Sequence, residues 1–208
     1  MQQRFFLIVI AIIIQLNVNC QQASLGIGVK AGLNFANITK ASSINNSSRT
    51  GFHAGVFLSP PSRSVIQSRT ELIFSRQGYN YSSNTNTGNV NLDYLVLPQL
   101  MGINITKYVQ LQVGAQMAYL LNAKVDSTSP AGSNNGNPIM DAYNRFDYGF
   151  AAGIELHPIG GLLIGARFNT SLGKLGNGST TQDNNSFFPG MDAKNNVVQL
   201  FAGWRFGK

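Results

Sequence analysis

Residues 109–122 read VQLQVGAQMAYLLN, and apolar and polar residues alternate through most of this stretch. A β-strand turns successive side chains to opposite faces, so a two-residue period separates an apolar face from a face of glutamine, glycine and asparagine. An amphipathic helix would repeat its apolar residues at intervals of three and four instead. The stretch therefore predicts a strand whose two faces meet different surroundings.

The same two-residue period returns in six further segments of the chain. They cover residues 27–35, 51–58, 69–74, 145–156, 162–171 and 198–206. An eighth segment, residues 92–105, is apolar at both parities, so the sequence leaves its inward face undecided. Eight strands are thus predicted.

The connections between these segments alternate between long and short. The long, polar ones cover residues 39–49, 79–91, 125–144 and 173–195, and the short ones lie at 59–62, 106–107 and 158–160. Long external loops and short periplasmic turns are typical of transmembrane β-barrels. The layout predicts an up-and-down meander with all its long loops at one end.

The chemistry of the two faces distinguishes a membrane barrel from a soluble, ligand-carrying barrel. A soluble barrel places large apolar residues inside and a charged surface outside, whereas a membrane barrel has a polar interior. Charged residues make up only 11% of the chain, less than half of the roughly 25% of soluble domains. The expected fold is therefore all-β, an eight-stranded antiparallel up-and-down transmembrane β-barrel.

Aromatic residues near the strand ends are candidates for girdles at the two membrane interfaces. They are Phe35, Tyr79, Tyr94, Tyr108, Tyr148, Trp204 and Phe206. Ordinary packing is the alternative role for part of this set.

The polar face supplies the candidate site, a network of side chains in the lumen. Eight residues lie on the inward face according to their positions in the two-residue alternation. They are Lys30, His53, Arg69, Glu71, Asp147, Glu155, Arg167 and Arg205. Ions withdrawn from water cost several kcal/mol unless they are paired. We therefore expect Glu71 and Glu155 to meet Arg167 or Arg205 and to plug the barrel. The alternative is that some of these charges lie in water near a rim.

The first 20 residues are predicted to be a secretory signal peptide, which leaves residues 21–208 as the barrel domain. Arg4 supplies the positive n-region, and the ten residues 5–14 form an uninterrupted apolar run of the length expected for a signal peptide. Cleavage after Cys20 would remove the only cysteine of the chain. Acylation of Cys20 as a lipoprotein anchor is the alternative.

No recognisable catalytic, metal or cofactor motif occurs in the sequence. The chain has two histidines, His53 and His157, and no HExxH or CxxC pattern. The glycines of GIGVKAG (residues 26–32) continue an alternating strand, so they do not form a dinucleotide-binding loop. The formal net charge of +7 comes from scattered basic residues, which argues against nucleic acid as a partner. We expect a non-enzymatic protein without cofactors.

Five stretches resemble the PorT-like outer-membrane β-barrel family. They are GIGVKAGLNFANIT (residues 26–39), ELIFSRQGY (71–79), DYLVLPQL (93–100), FDYGFAAGIEL (146–156) and the terminal LFAGWRF (200–206). The resemblance implies a small barrel in the outer membrane of a Gram-negative bacterium. It also implies a link to protein secretion, in which the namesake of the family is implicated.

The expected function is that of a structural or accessory component of the envelope, or of a barrel that acts through its external loops. The expected partners are outer-membrane lipid and lipopolysaccharide, the barrel-assembly machinery, and envelope or secretion proteins. Two alternatives stay open, a membrane-embedded enzyme acting on lipid or peptide and a narrow ion channel.

Overall fold

The computed structural model describes residues 26–39, 45–59, 65–82, 87–128, 135–138, 140, 143–176 and 193–206. The predicted signal peptide, residues 1–20 with Cys20, lies outside these residues. No helix in the described ranges is long and apolar enough to cross a membrane.

The described chain is built from antiparallel strands. In chain order they are β1 (Gly26–Thr39), β2 (Asn45–Ser59), β3 (Ile66–Ser82), β4 (Thr87–Asn104), β5 (Val109–Thr128), β6 (Asn135–Pro138), β7 (Phe146–Leu156), β8 (Leu162–Ser171) and β9 (Lys194–Phe206). The short strand β6 pairs only with the end of β5. The other eight form a ring, which confirms the predicted eight-stranded barrel.

The ring closes because β4 pairs with β5, which completes the order β4-β3-β2-β1-β9-β8-β7-β5. A path through paired residues that leaves β1 at Ile27 returns to β1 at Asn37, a stagger of ten residues. The path runs through Leu58, Thr70, Gln99, Ala115, Phe150, Thr170 and Asn196. Such a stagger tilts the strands against the barrel axis. Closure gives each of the eight ring strands a paired neighbour on both sides, as a sheet in lipid requires.

The apolar face of the strands points outward and the polar face points inward, as predicted. On β1, Ile27 is 50% exposed, whereas Lys30 on the opposite, lumen-facing side is 3% exposed. The undecided segment in β4 turns Leu92 and Val96 inward and Met101 outward. The outer surface is therefore apolar and suited to lipid.

Strands β2 to β5 extend further into the predicted long loops than the sequence indicated. Residues 45–49, 79–82, 87–91 and 125–128 belong to paired strands instead of loops. The extension is favourable because inward residues such as Tyr79, Val90 and Ala123 pack together at this end. The barrel wall consequently rises on one side toward the long-loop end.

Two aromatic residues predicted for the girdles, Tyr79 and Tyr94, face the interior instead. Tyr79 is fully buried and Tyr94 nearly so. Because β3 continues through residue 79, Tyr79 keeps the inward parity of Glu71. The remaining aromatics of that prediction are exposed on the outer surface, namely Phe35, Tyr108, Tyr148, Trp204 and Phe206.

Candidate functional site

Glu71 on β3 is the central acid of the lumen near the short turns. Its Oε2 lies 3.2 Å from Lys30 Nζ and 2.6 Å from Arg167 Nη1, and its Oε1 accepts from Arg167 Nη2 at 2.9 Å. Arg69 Nη1 is 3.9 Å from Glu71 Oε1. All four side chains are buried. One carboxylate therefore lies within ion-pair distance of cations from three different strands.

Glu155 on β7 forms the second acidic centre. Arg69 donates to both of its oxygens, at 2.5 and 2.8 Å, and the His157 ring lies 2.7 Å from Oε1. Gln112 donates to Glu155 Oε2 at 2.9 Å and accepts from Arg167 at 2.6 Å. Gln112 thus joins the two acidic centres. We call Lys30, Arg69, Glu71, Gln112, Glu155 and Arg167 the ion network.

Two aromatic rings enter the lumen beside the ion network. The Arg69 guanidinium lies 4.8 Å from the Phe57 ring centroid, and Lys30 Nζ lies 3.7 Å from that of Phe201. Glycines make this possible, since a Cβ on Gly28 would lie 2.0 Å from Phe57 and one on Gly165 would lie 2.5 Å from Phe201. Cations over aromatic faces are stabilised electrostatically. The two rings therefore fill space in the lumen and also interact favourably with Arg69 and Lys30.

His53 lies in a layer of neutral polar groups next to the ion network. Its Nδ1 is 2.8 Å from Asn34 Oδ1, which also accepts from Gln199 at 3.0 Å. Asn34 Nδ2 donates to Ser75 Oγ at 2.9 Å. An amide oxygen can only accept, so Nδ1 of His53 carries the hydrogen. These contacts orient the His53 ring inside the lumen, where it is buried from solvent.

The remaining two predicted residues lie at opposite ends of the lumen. Asp147, at the long-loop end of β7, accepts from Ser171 Oγ at 2.6 Å and from the Tyr148 backbone at 2.8 Å. Arg205 lies at the short-turn end of β9 and makes no ion pair with a described carboxylate. Glu71 meets Arg167 as expected, but Glu155 meets Arg69. The eight residues are therefore distributed over separate layers of the lumen.

Several polar residues of the barrel were missed by the sequence reasoning, among them an ion pair on the outward side of β3 and β4. Arg76 pairs with Asp93 through bonds of 2.7 and 3.1 Å near the long-loop end. Asp93 escaped notice because its segment is apolar at both parities, and a register shift falls between Asp93 and Tyr94. Gln112 was recognisable, since it stands at a polar position of residues 109–122.

An apolar cluster fills the lumen toward the long-loop end. It contains Ile38, Ile73, Tyr79, Tyr81, Val90, Leu92, Tyr94, Val96, Ala118, Leu120, Ala123, Val125, Tyr143, Leu175 and Ala193, and we call it the upper cluster. Tyr143, which lies outside the ring strands, places its hydroxyl 2.7 Å from that of Tyr79. Burial raises the pKa of the Tyr143 phenol well above its ordinary value. The cluster packs like the core of a soluble domain.

The carboxylates of the ion network are fully engaged in hydrogen bonds. Each oxygen of Glu71 and Glu155 already accepts at least one hydrogen bond from a cation or an amide. Neither carboxylate is therefore poised as a general base. Across the described ranges, no group of three or more His, Cys, Asp or Glu residues could hold a metal ion.

Comparison with known proteins gives one family and several structures. The sequence profile of the outer membrane protein beta-barrel domain matches residues 17–177. Ail of Yersinia pestis is 16% identical, covers 87% of this chain and 98% of its own, and has a TM-score of 0.49. Neisserial surface protein A is 13% identical, with coverages of 89% and 100% and a TM-score of 0.48.

OprG of Pseudomonas aeruginosa is 9% identical, with coverages of 90% and 98% and a TM-score of 0.45. No curated protein sequence matches the chain significantly.

Proposed function

The chain belongs to the outer membrane protein beta-barrel domain family, and from this premise we propose that it is a closed, non-enzymatic barrel acting through its long-loop end. In this proposal the ring anchors the chain in the outer membrane. The long loops face outward, and the short turns face the periplasm, as is usual for such barrels.

The observation that carries the proposal is the filled lumen. Arg69 reaches from β3 to Glu155 on β7, and Arg167 reaches from β8 to Glu71 on β3. These bonds cross the interior, whose width in an eight-stranded barrel is just sufficient for side chains. The upper cluster closes the lumen a second time. Solute diffusion through two such layers would require both to rearrange.

Bilayer conductance tests closure. The purified protein is expected to give no steady conductance in planar lipid bilayers, because ion pairs block the lumen. A Glu71→Ala/Arg167→Ala variant removes an ion pair from the lumen and is therefore the variant most able to open a path for ions. Asp126→Asn is its matched surface control. Steady conductance of the unaltered protein would support a narrow ion channel instead. Turnover of phospholipid or peptide in parallel assays would support an enzyme.

The proposed partners meet the barrel at different surfaces. Outer-membrane lipid and lipopolysaccharide contact the apolar outer face, and the barrel-assembly machinery contacts the chain during insertion. Envelope or secretion proteins bind at the long-loop end, the secretion link resting on the resemblance to the PorT-like family. Small polar residues at loop tips tolerate insertions because little buried backbone is disturbed.

An epitope inserted near Asn134, which lies outside the described residues, tests the orientation. We expect antibody to label it on intact cells, whereas an epitope inserted after Pro158 requires permeabilised cells. The reverse labelling would contradict the orientation. A photocrosslinking residue at each site then tests partner binding, since specific products are expected from the long-loop end alone.

A further inference from the structure

A cavity of about 390 Å³ lies at the short-turn end of the barrel. It opens between the turn that joins β4 to β5 and the turn that joins β7 to β8. The residues that line it include Lys107, Tyr108, His157, Ile159, Leu162 and Arg205, and none of the described lining residues is acidic. The cavity adjoins the ion network through His157, whose ring lies 2.7 Å from Glu155 Oε1.

The lumen beside this cavity carries more positive than negative groups. The described residues there include the cations Lys30, Arg69, Arg167 and Arg205 against the carboxylates of Glu71 and Glu155. Both carboxylates are occupied by the other three cations and by His157. Arg205 is left over, and its Nε and Nη2 are buried with no hydrogen-bond partner in the described chain. A guanidinium in that state favours an incoming anion.

A second cation stands at the mouth of the cavity. Lys107 is exposed in the β4–β5 turn, with its Nζ 4.8 Å from the ring centroid of Tyr108. No ion pair joins Lys107 to any carboxylate that the structure describes. Arg205 and Lys107 therefore offer two uncompensated positive charges to the same space.

The opposite wall of the cavity is apolar and held by a glycine turn. Ile159 is exposed, and Leu162 lies beside it at the start of β8. Gly161 has φ near +90° and its carbonyl accepts the Arg205 backbone N–H at 2.7 Å. Glycine adopts a positive φ without the steric cost that a Cβ imposes on other residues. The turn thus keeps Arg205 and the apolar wall together.

We propose that this cavity binds a phosphate group, with Arg205 and Lys107 as its charge partners. Arg and Lys are the usual binders of phosphate oxygens, Arg through its planar fork and Lys as a point charge. Exposed apolar side chains beside the cations suit a phosphate that carries hydrocarbon, so a phospholipid headgroup is the favoured source. A soluble phosphate ester shares the same chemistry.

A titration separates these sources. The protein is kept in a maltoside detergent, which contains no phosphate, and is titrated with inorganic phosphate, dihexanoyl phosphatidylglycerol or dihexanoylglycerol. The only tryptophan, Trp204, adjoins Arg205 and packs on Gly161, so its fluorescence reports binding. Native mass spectrometry counts the retained ligand independently. We expect saturable binding of the phosphatidylglycerol and none of the dihexanoylglycerol.

Variants assign the binding to the cavity. We expect Arg205→Gln to weaken phosphatidylglycerol binding by about tenfold or more, because a charge-assisted contact is lost. Lys107→Gln, at an exposed position of the β4–β5 turn, is expected to weaken it by about threefold. Arg145→Gln at the opposite end is the control and should bind like the unaltered protein.

The outcomes are decisive in each arm. Equally tight binding of inorganic phosphate would identify a soluble phosphate as the ligand. Equal binding of the phosphate-free dihexanoylglycerol, or no saturable binding of any phosphate compound, would overturn the proposal. If Arg205→Gln does not fold, an unchanged dissociation constant for Lys107→Gln overturns it.

Discussion

The two halves of the lumen are filled by opposite chemistry. Near the short turns, buried charged side chains form ion pairs, such as that of Glu71 with Arg167. Near the long loops, the upper cluster packs apolar groups such as Leu92 and Leu120, with tyrosine hydroxyls paired among them. The same barrel wall therefore surrounds an ionic interior near the short turns and an apolar interior near the long loops.

The difference indicates how the stability of the barrel responds to a substitution in each half of the lumen. A buried ion that loses its partner cannot recover the solvation it lost on folding, so the cost is large and falls on the whole barrel. An apolar core that loses a methyl group keeps most of its contacts, and the cost depends on how far the site collapses. The ion network should behave as one unit, and the upper cluster as a set of graded contacts.

The largest expected effect is that of Glu71→Gln in the ion network. It leaves Lys30 and Arg167 without their carboxylate, and we expect a loss of about 3–5 kcal/mol in the free energy of unfolding. Unfolding by guanidinium in detergent, followed by Trp204 fluorescence and by heat-dependent gel mobility, measures it.

Two further variants serve as its controls. Glu71→Gln combined with Arg167→Met should recover part of the loss, because the unpaired cation is removed. Asp126→Asn changes an exposed acid that accepts from Asn91, and we expect a change within about 0.5 kcal/mol. Equal midpoints for Glu71→Gln and the unaltered protein would mean that these charges are solvated.

A smaller effect is expected in the upper cluster from Leu120→Ala. Leu120 is fully buried, whereas its neighbour Leu121 is exposed on the outer face. We expect a loss of about 2–4 kcal/mol from the cavity at Leu120 and a much smaller loss from Leu121→Ala, which leaves no cavity. Hydrogen exchange should locate the loss in β4 and β5 near the long loops. Faster exchange throughout the ring would show that the two halves of the lumen unfold together.

The smallest expected effect concerns the hydroxyl pair of Tyr143 and Tyr79. Tyr143→Phe removes one buried hydrogen bond, which we expect to cost about 1 kcal/mol at neutral pH. Because the folded pKa of Tyr143 lies above its unfolded value of 10.0, its contribution is complete below pH 10 and decreases as the pH rises further. Unfolding midpoints of both proteins should therefore converge in alkali. A difference that grows in alkali would contradict the buried, neutral phenol.

The wall of the barrel could be predicted from sequence further than its interior. In seven segments, apolar residues such as Ile27 alternate with residues of the opposite face such as Lys30. This alternation was sufficient to predict the ring and the inward direction of its charges. The ends of the strands could not be predicted, because Tyr79 lies in a stretch that is polar enough for a loop and is held in β3 by its partners in β2 and β4. Asp93 was missed for a related reason, since its own segment shows no polar face.

The sequence by itself determined the strands and the sorting of their faces, because alternation follows from the local geometry of an extended backbone. Only the tertiary structure decided which charges meet. Arg69 and Glu155 are 86 positions apart in the chain, and their contact depends on the register of every strand and on the ten-residue stagger at closure. That stagger brings Arg69, Arg167 and Lys30 to the two available carboxylates and leaves Arg205 beside an open cavity.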